Sequence, residues 1–144
     1  MAERMAYEID DARWPLLVAR ATKLLSEPDA VDASYRKLES ILKRDQRFLL
    51  VFDMRGAISS PGRRRRFLAW GESHADVLTR LLVASAVVAA SNVERGFVTA
   101  ALWLRTPPFP MRVFTSASEA ETWLLSNYAH LTTSSPPRSE RVGA

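Results

Sequence analysis

The sequence predicts an α/β fold: a four- or five-stranded, mostly parallel sheet flanked by helices in the order β-β-α-β-α-β-α-β-α. Three observations carry that expectation. Short segments of strand length recur along the chain, segments with helix-start residues and helical spacing separate them, and one strand candidate, residues 48–52 (Phe-Leu-Leu-Val-Phe), is apolar at every position. A run with no polar side has no solvent face, which is the situation of a parallel strand covered on both sides. Strands that alternate with helices imply parallel pairing and right-handed crossovers.

Residues 7–9 alternate, Asp10 and Asp11 mark a charged turn, and residues 14–19 are largely apolar. Two antiparallel strands joined at those acids are expected. Ser26, Glu27, Pro28 and Asp29 then open a helix, with an N-cap serine, an early proline and acids at the positive end of the dipole. Val31, Tyr35, Leu38 and Leu42 line one face of it, and Lys43, Arg44 and Arg47 close it. The apolar strand ends at Asp53, and a loop over residues 54–62 follows. A second helix is expected over residues 63–81, with Phe67, Trp70, His74, Val77, Leu78 and Leu81 inward.

Residues 82–89 read as the next strand, although their alanines also suit a helix. Ser91-Asn92-Val93-Glu94 is a capping box that opens a third helix through Phe97, Ala101 and Leu104. Pro107, Pro108 and Pro110 stop it. Residues 111–114 form the last strand, and Ser116-Ala117-Ser118-Glu119 caps a final helix with Ala120, Trp123 and Leu124 inward. One domain thus covers residues 1–131. Residues 132–144, polar and with two prolines, read as a disordered tail.

Composition narrows the function classes. A chain of 144 residues, 47% hydrophobic, builds one domain core without staples. Cysteine is absent, which removes disulfides, thiol nucleophiles and cysteine-held zinc. The longest apolar run, residues 81–90, falls short of the ~20 residues that span a bilayer, and no apolar signal core follows Glu3. A cytoplasmic, non-transmembrane protein is expected. Net charge is +4, with 16 acids interspersed among 20 basic residues, so no nucleic-acid partner is expected. Phosphate-binding glycine loops, dinucleotide fingerprints and nucleophile elbows are missing, and neither His74 nor His130 has a companion at metal-ligand spacing. The expectation is binding without catalysis, metal or cofactor.

The best candidate site follows the apolar strand. Ligands of open α/β sheets bind beyond the carboxyl ends of the strands, where Asp53 and Arg55 stand. Ser60 suits an N-cap with Pro61 at the first helical position, and a helix start near glycines can hold an anion. Capping and turning the chain is the plainer role for Ser59 and Ser60. Arg63, Arg64, Arg65 and Arg66 are the sharpest anomaly. Cations at a helix N-terminus oppose the dipole by roughly 0.3–1 kcal/mol each, whereas the other expected helices begin with acids. The four spread over about 300° of arc, so they share no single face. An acidic protein partner or a phosphorylated ligand would relieve their repulsion; a solvated basic run is the plainer alternative. A second surface, Phe97, Leu102, Trp103 and Phe109, exceeds one helical stripe. It fits a homodimer contact or a small hydrophobic ligand, or else an ordinary sheet-covering helix.

The strand into Asp53-Met54-Arg55-Gly56, the loop Ile58-Ser59-Ser60-Pro61-Gly62 and the late Ser118-Glu119-Ala120-Glu121-Thr122-Trp123-Leu124 resemble the SpoIIAA-like proteins. These are bacterial relatives of the STAS (anti-sigma-factor antagonist) domains, and the likeness covers roughly residues 6–130. The resemblance implies a SpoIIAA-like sheet of four or five strands, no enzymatic activity, and a regulatory role in protein-protein interaction. Phosphorylation-controlled STAS domains carry Asp-Ser-Ser-Gly at the start of the second helix. Here Ile58-Ser59-Ser60-Pro61 stands in that place, without the aspartate and the adjoining glycine. The leading expectation is a module that binds a protein partner through residues 53–66. The alternative is a carrier of a small hydrophobic (lipid or acyl) or phosphorylated ligand.

Overall fold

The computed structural model describes residues 5–22, 27–55, 61–104 and 106–132, apart from the side chains of Pro61, Arg63, Arg64, Phe97 and residues 101–104. The elements are β1 (Tyr7–Arg13), β2 (Leu16–Ala21), α1 (Pro28–Leu42), β3 (Phe48–Asp53), α2 (Pro61–Ser73), α3 (Ala75–Leu81), β4 (Leu82–Val88), α4 (Asn92–Leu104), β5 (Met111–Phe114) and α5 (Ala117–Thr132). The five strands form one sheet in the order β1-β2-β3-β4-β5. β1 is antiparallel to β2, and the remaining pairs are parallel. This is the expected fold class.

The apolar run becomes the central strand. Leu49 lies between Leu16 and Ala84, and Val51 between Val18 and Ala86. Because the strand order rises steadily, each parallel crossover moves the same way across the sheet. Uniform right-handedness then places all the crossover helices on one face. The packing agrees. Leu17, Phe48 and Leu82 meet Ile41 and Leu42 of α1 and Leu81 of α3, and Val98 of α4 packs beside Val87 and Val113. The alternate residues Leu16, Val18, Leu49, Val51, Ala84 and Ala86 face Ala120 and Leu124 of α5. The alanines of β4 leave room for that helix to lie close, which is why an alanine-rich segment serves here as a strand.

The serine half of both capping boxes forms: Ser91 Oγ accepts from the Glu94 amide and Ser116 Oγ from the Glu119 amide, each at 3.2 Å. Three expectations change. The first turn is not at Asp10-Asp11; β1 continues to Arg13, and the chain turns at the cis Trp14-Pro15 bond. Asp10 instead accepts from the Ala12 amide at 2.9 Å where the β1–β2 register shifts, and Asp11 pairs with Arg44 at 2.5 Å. An edge strand pairs on one side alone, so it tolerates such acids. The expected helix over residues 63–81 is two, parted at His74 (φ −113°, ψ 15°), where the Ser73 hydroxyl and His74 Nδ1 both lie 2.9 Å from the Trp70 carbonyl. α1 takes Glu27 as its N-cap residue, while Ser26 lies outside the described residues. Residue 132 closes α5; the rest of the expected tail, residues 133–144, also lies outside them.

Candidate functional site

The carboxyl end of β3 is built around a buried carboxylate. Strand alternation turns Asp53 to the same face as Leu49 and Val51, and it is 6% exposed. Arg55, two residues on, folds back over it. Its Nε donates to Oδ1 at 3.0 Å, its Nη2 to Oδ2 at 2.7 Å, and its backbone amide to Oδ1 at 3.0 Å. Arg20 stands opposite in register on β2. The Arg55 guanidinium holds the Asp53 carboxyl below the usual carboxylate range, with Arg20 adding to the effect and burial opposing it. One edge of the guanidinium is therefore engaged within the fold, through two parallel hydrogen bonds. The pair fixes where the chain leaves the central strand.

Ser59 and Ser60 lie outside the described residues. Arg63 and Arg64 stand in the first turn of α2, which has no acid, and their side chains also lie outside them. Arg65 is exposed, with no acidic group within 4 Å among the described residues. Arg66 is held: it bonds Asp32 of α1 and lies over the Tyr35 ring at 5.1 Å. Of the two arginines of the run whose side chains are described, Arg66 ties two helices together and Arg65 faces solvent.

Aromatic side chains mount α2 on the sheet and on α1. Phe67 meets Phe52 edge-on at 5.1 Å between ring centroids, and Trp70 stacks on Tyr35 at 5.4 Å. Burial, chiefly, pushes the Tyr35 hydroxyl above its ordinary range. Glu39 of α1 accepts from Trp70 Nε1 at 3.3 Å, and His74 Nε2 lies at the same distance from it. His74 thus joins the α1–α2 contact by its edge while stacking on Trp70. Residues 65–69 are all exposed, and they include Phe67 at 37% and Leu68 at 46%.

The second expected surface is partly described. Phe109 packs, half-buried, against the cluster of Phe48, Leu81 and Leu82. That cluster lies at the start of β3, the opposite end from Asp53, so Phe109 and the Asp53–Arg55 pair belong to different ends of the sheet. The side chains of Phe97, Leu102 and Trp103 lie outside the described ones. Sequence reasoning placed Tyr35 on the inward face of its helix but missed Asp32 and Glu39; the three fix α2 from 31 to 35 residues away. It also passed over Leu68, whose one signal was an apolar residue off the inward stripe. Among the described residues, no three His, Asp or Glu side chains gather as a metal site, and no helix is long and apolar enough to cross a membrane.

No family model and no curated protein matches the chain. Among solved structures it is similar to an uncharacterized protein of the DUF3478 family with a SpoIIAA-like fold, from Shewanella loihica PV-4. The TM-score is 0.59 at 17% identity, over 86% of this chain and 98% of that one. An identity this low speaks for architecture. The rising five-stranded order, the antiparallel first strand and this similarity together establish that the chain adopts the SpoIIAA-like fold.

Proposed function

We propose that the chain is a non-enzymatic regulatory module that binds a protein partner through the loop after β3 and the basic start of α2. The observation that carries this reading is the exposed stretch of α2 over residues 65–69, which begins with the last two of four successive arginines, beside the carboxyl end of the central strand. Arg66 and the aromatic contacts hold that helix in place before a partner arrives, so little ordering entropy is lost on binding. Arginines at the positive end of a helix repel it and one another, and an acidic partner surface relieves both terms. Their field also steers the approach of such a partner, an effect that salt weakens.

The test begins with the full chain as bait in its source cells, identification of the retained protein, and titration with that protein purified. Arg63→Gln, Arg64→Gln and Arg65→Gln are combined, and Arg66 is spared because it ties α2 to α1. Exposed ion pairs contribute about 0.5 kcal/mol each, so the triple variant should bind roughly tenfold more weakly and with a flatter salt dependence. Unchanged affinity and unchanged salt dependence would reject the reading. A lipid or acyl species retained in native mass spectrometry, with no protein retained, would favour the carrier alternative instead.

A further inference from the structure

We infer that α2 is a detachable cap: it opens as one unit that ends at His74, while the sheet and its other helices stay folded. The inference goes beyond the module reading and does not depend on it. None of α2's described side chains is buried. By contrast, Ala30 and Ala33 of α1 and Ala120 of α5 are buried, which sets those helix backbones close against their neighbours. Ala69 of α2 is exposed. The described ties from α2 to α1 and the sheet run through Arg66, Phe67 and Trp70, which fall within about 100° of helical arc.

Each tie is open to water. The Arg66 and Asp32 side chains are 44% and 46% exposed, and water and salt screen such a pair. Phe67, edge-on to Phe52, is 37% exposed. Trp70 holds most firmly. It lies between Tyr35, at 5.4 Å, and His74, at 4.3 Å between ring centroids, and it donates to Glu39 at 3.3 Å. Yet the Glu39 side chain is 42% exposed. A helix with few buried apolar groups and an exposed outer face opens at a lower free energy than the whole fold.

The helix itself adds to this. Gly71 stands inside α2, its φ is not positive, and a Cβ there would meet nothing within 4 Å. Neither the backbone nor the packing calls for glycine, so its effect is to weaken the helix. The boundary is the break at His74 (φ −113°, ψ 15°). Beyond it, α3 has an anchor of its own in Leu81, which is 0% exposed. Opening lifts Arg66 and Trp70 from the Tyr35 ring and Phe67 from Phe52, and it carries the exposed arginine-bearing face away with them. The fold thus holds a two-state element at its candidate site, and any ligand that prefers one state shifts the population.

The experiment is amide hydrogen exchange, followed by NMR on the isotope-labelled full chain at increasing urea below the unfolding transition. The amides of residues 67–73 should exchange through one common opening whose rate barely depends on urea. Those of β3 should wait for global unfolding and speed steeply with urea. Thr79, Arg80 and Leu81 of α3 should not join the α2 opening. Two mild substitutions separate the two processes. Gly71→Ala should slow exchange in α2 about fivefold. Ser116→Ala removes the cap of α5 and should speed exchange in β3 about fivefold while leaving α2 unchanged.

The inference is overturned if α2 and β3 keep the same pace across the urea series, or if Thr79 to Leu81 open together with α2. Amides of α2 that are released one after another from a helix end would mean fraying, and would overturn it too. So would a complete lack of protection in α2, since a helix that is not closed cannot cap. Equal acceleration of α2 and β3 by Ser116→Ala, or no effect of Gly71→Ala on α2, has the same consequence. Any of these results leaves the module reading standing, because that reading is tested by partner affinity and salt dependence.

Discussion

Replacing Arg55 by methionine isolates the buried carboxylate at the end of β3 while keeping most of the side-chain stem. The substitution removes two hydrogen bonds, at 2.7 and 3.0 Å, from a residue that is 6% exposed. Hydrogen bonds to charged groups contribute about 1.5–3 kcal/mol each. The Arg55 side chain is 48% exposed, so water reaches that side of the carboxylate and replaces much of what is lost. A net cost of about 1.5 kcal/mol follows, or about 5 °C in the melting midpoint for a chain of this length.

The pH dependence supplies the sharper test. Asp53 has a folded pKa held below its unfolded value, first by the Arg55 side chain. Its contribution is therefore complete above the unfolded pKa of about 3.9 and disappears as pH falls through the folded pKa. In Arg55→Met the chief lowering cause is gone and burial, which raises the pKa, remains. That contribution then fails at a higher pH. Urea unfolding of both proteins should show the full gap at neutral pH and a gap that shrinks as pH falls below about 4 and on through the folded pKa of Asp53. No gap at neutral pH, or one that persists undiminished at about pH 2, would refute the account of Asp53 as an internally paired carboxylate.

Three further outcomes follow from the packing. Ser34 is fully buried, its Oγ accepting from the Tyr7 amide at 2.8 Å and donating to the Ala30 carbonyl at 3.0 Å. Ser34→Ala should cost about 1–3 kcal/mol and speed hydrogen exchange at Tyr7 of the edge strand β1. Leu124 is 0% exposed where α5 meets β2, β3 and β4, so Leu124→Ala should cost about 2–5 kcal/mol, read from the urea midpoint. Ser116→Ala should cost about 1 kcal/mol by loss of the cap on Glu119, and Ser116→Asp should retain most of the stability.

How much of this was legible follows the range of each interaction. β3 could be read because residues 48–52 are apolar throughout, and that pattern reports burial on both faces. The two serine caps could be read because donor and acceptor lie three residues apart. The first turn misled because Asp10 and Asp11 look like loop residues, yet an edge strand accommodates acids that a central strand would not. No proline announces the break at His74, and Gly71, three residues earlier, stays within α2. Its geometry depends on side chains bonding the Trp70 carbonyl and on Glu39 across in α1. At the candidate site, the position of Asp53 was readable and its use was not. Nothing local states that Arg55 would fold back on it, or that Arg66 would find Asp32, 34 residues earlier.

Two features of α2 are unusual for a helix that covers a sheet. A crossover helix must cover its share of the sheet, and Phe67 on Phe52 and Trp70 on Tyr35 accomplish that. Arginines in its first turn do not aid the covering and oppose the dipole; Leu68, turned off the inward stripe and 46% exposed, does not aid it either. A solvated basic run explains the arginines but has no use for the leucine. A core helix with one stray apolar residue explains the leucine but has no use for the arginines. Both features sit within six residues, near the rim where the fold delivers its strand ends. A protein partner of the kind proposed above would give both features a common use.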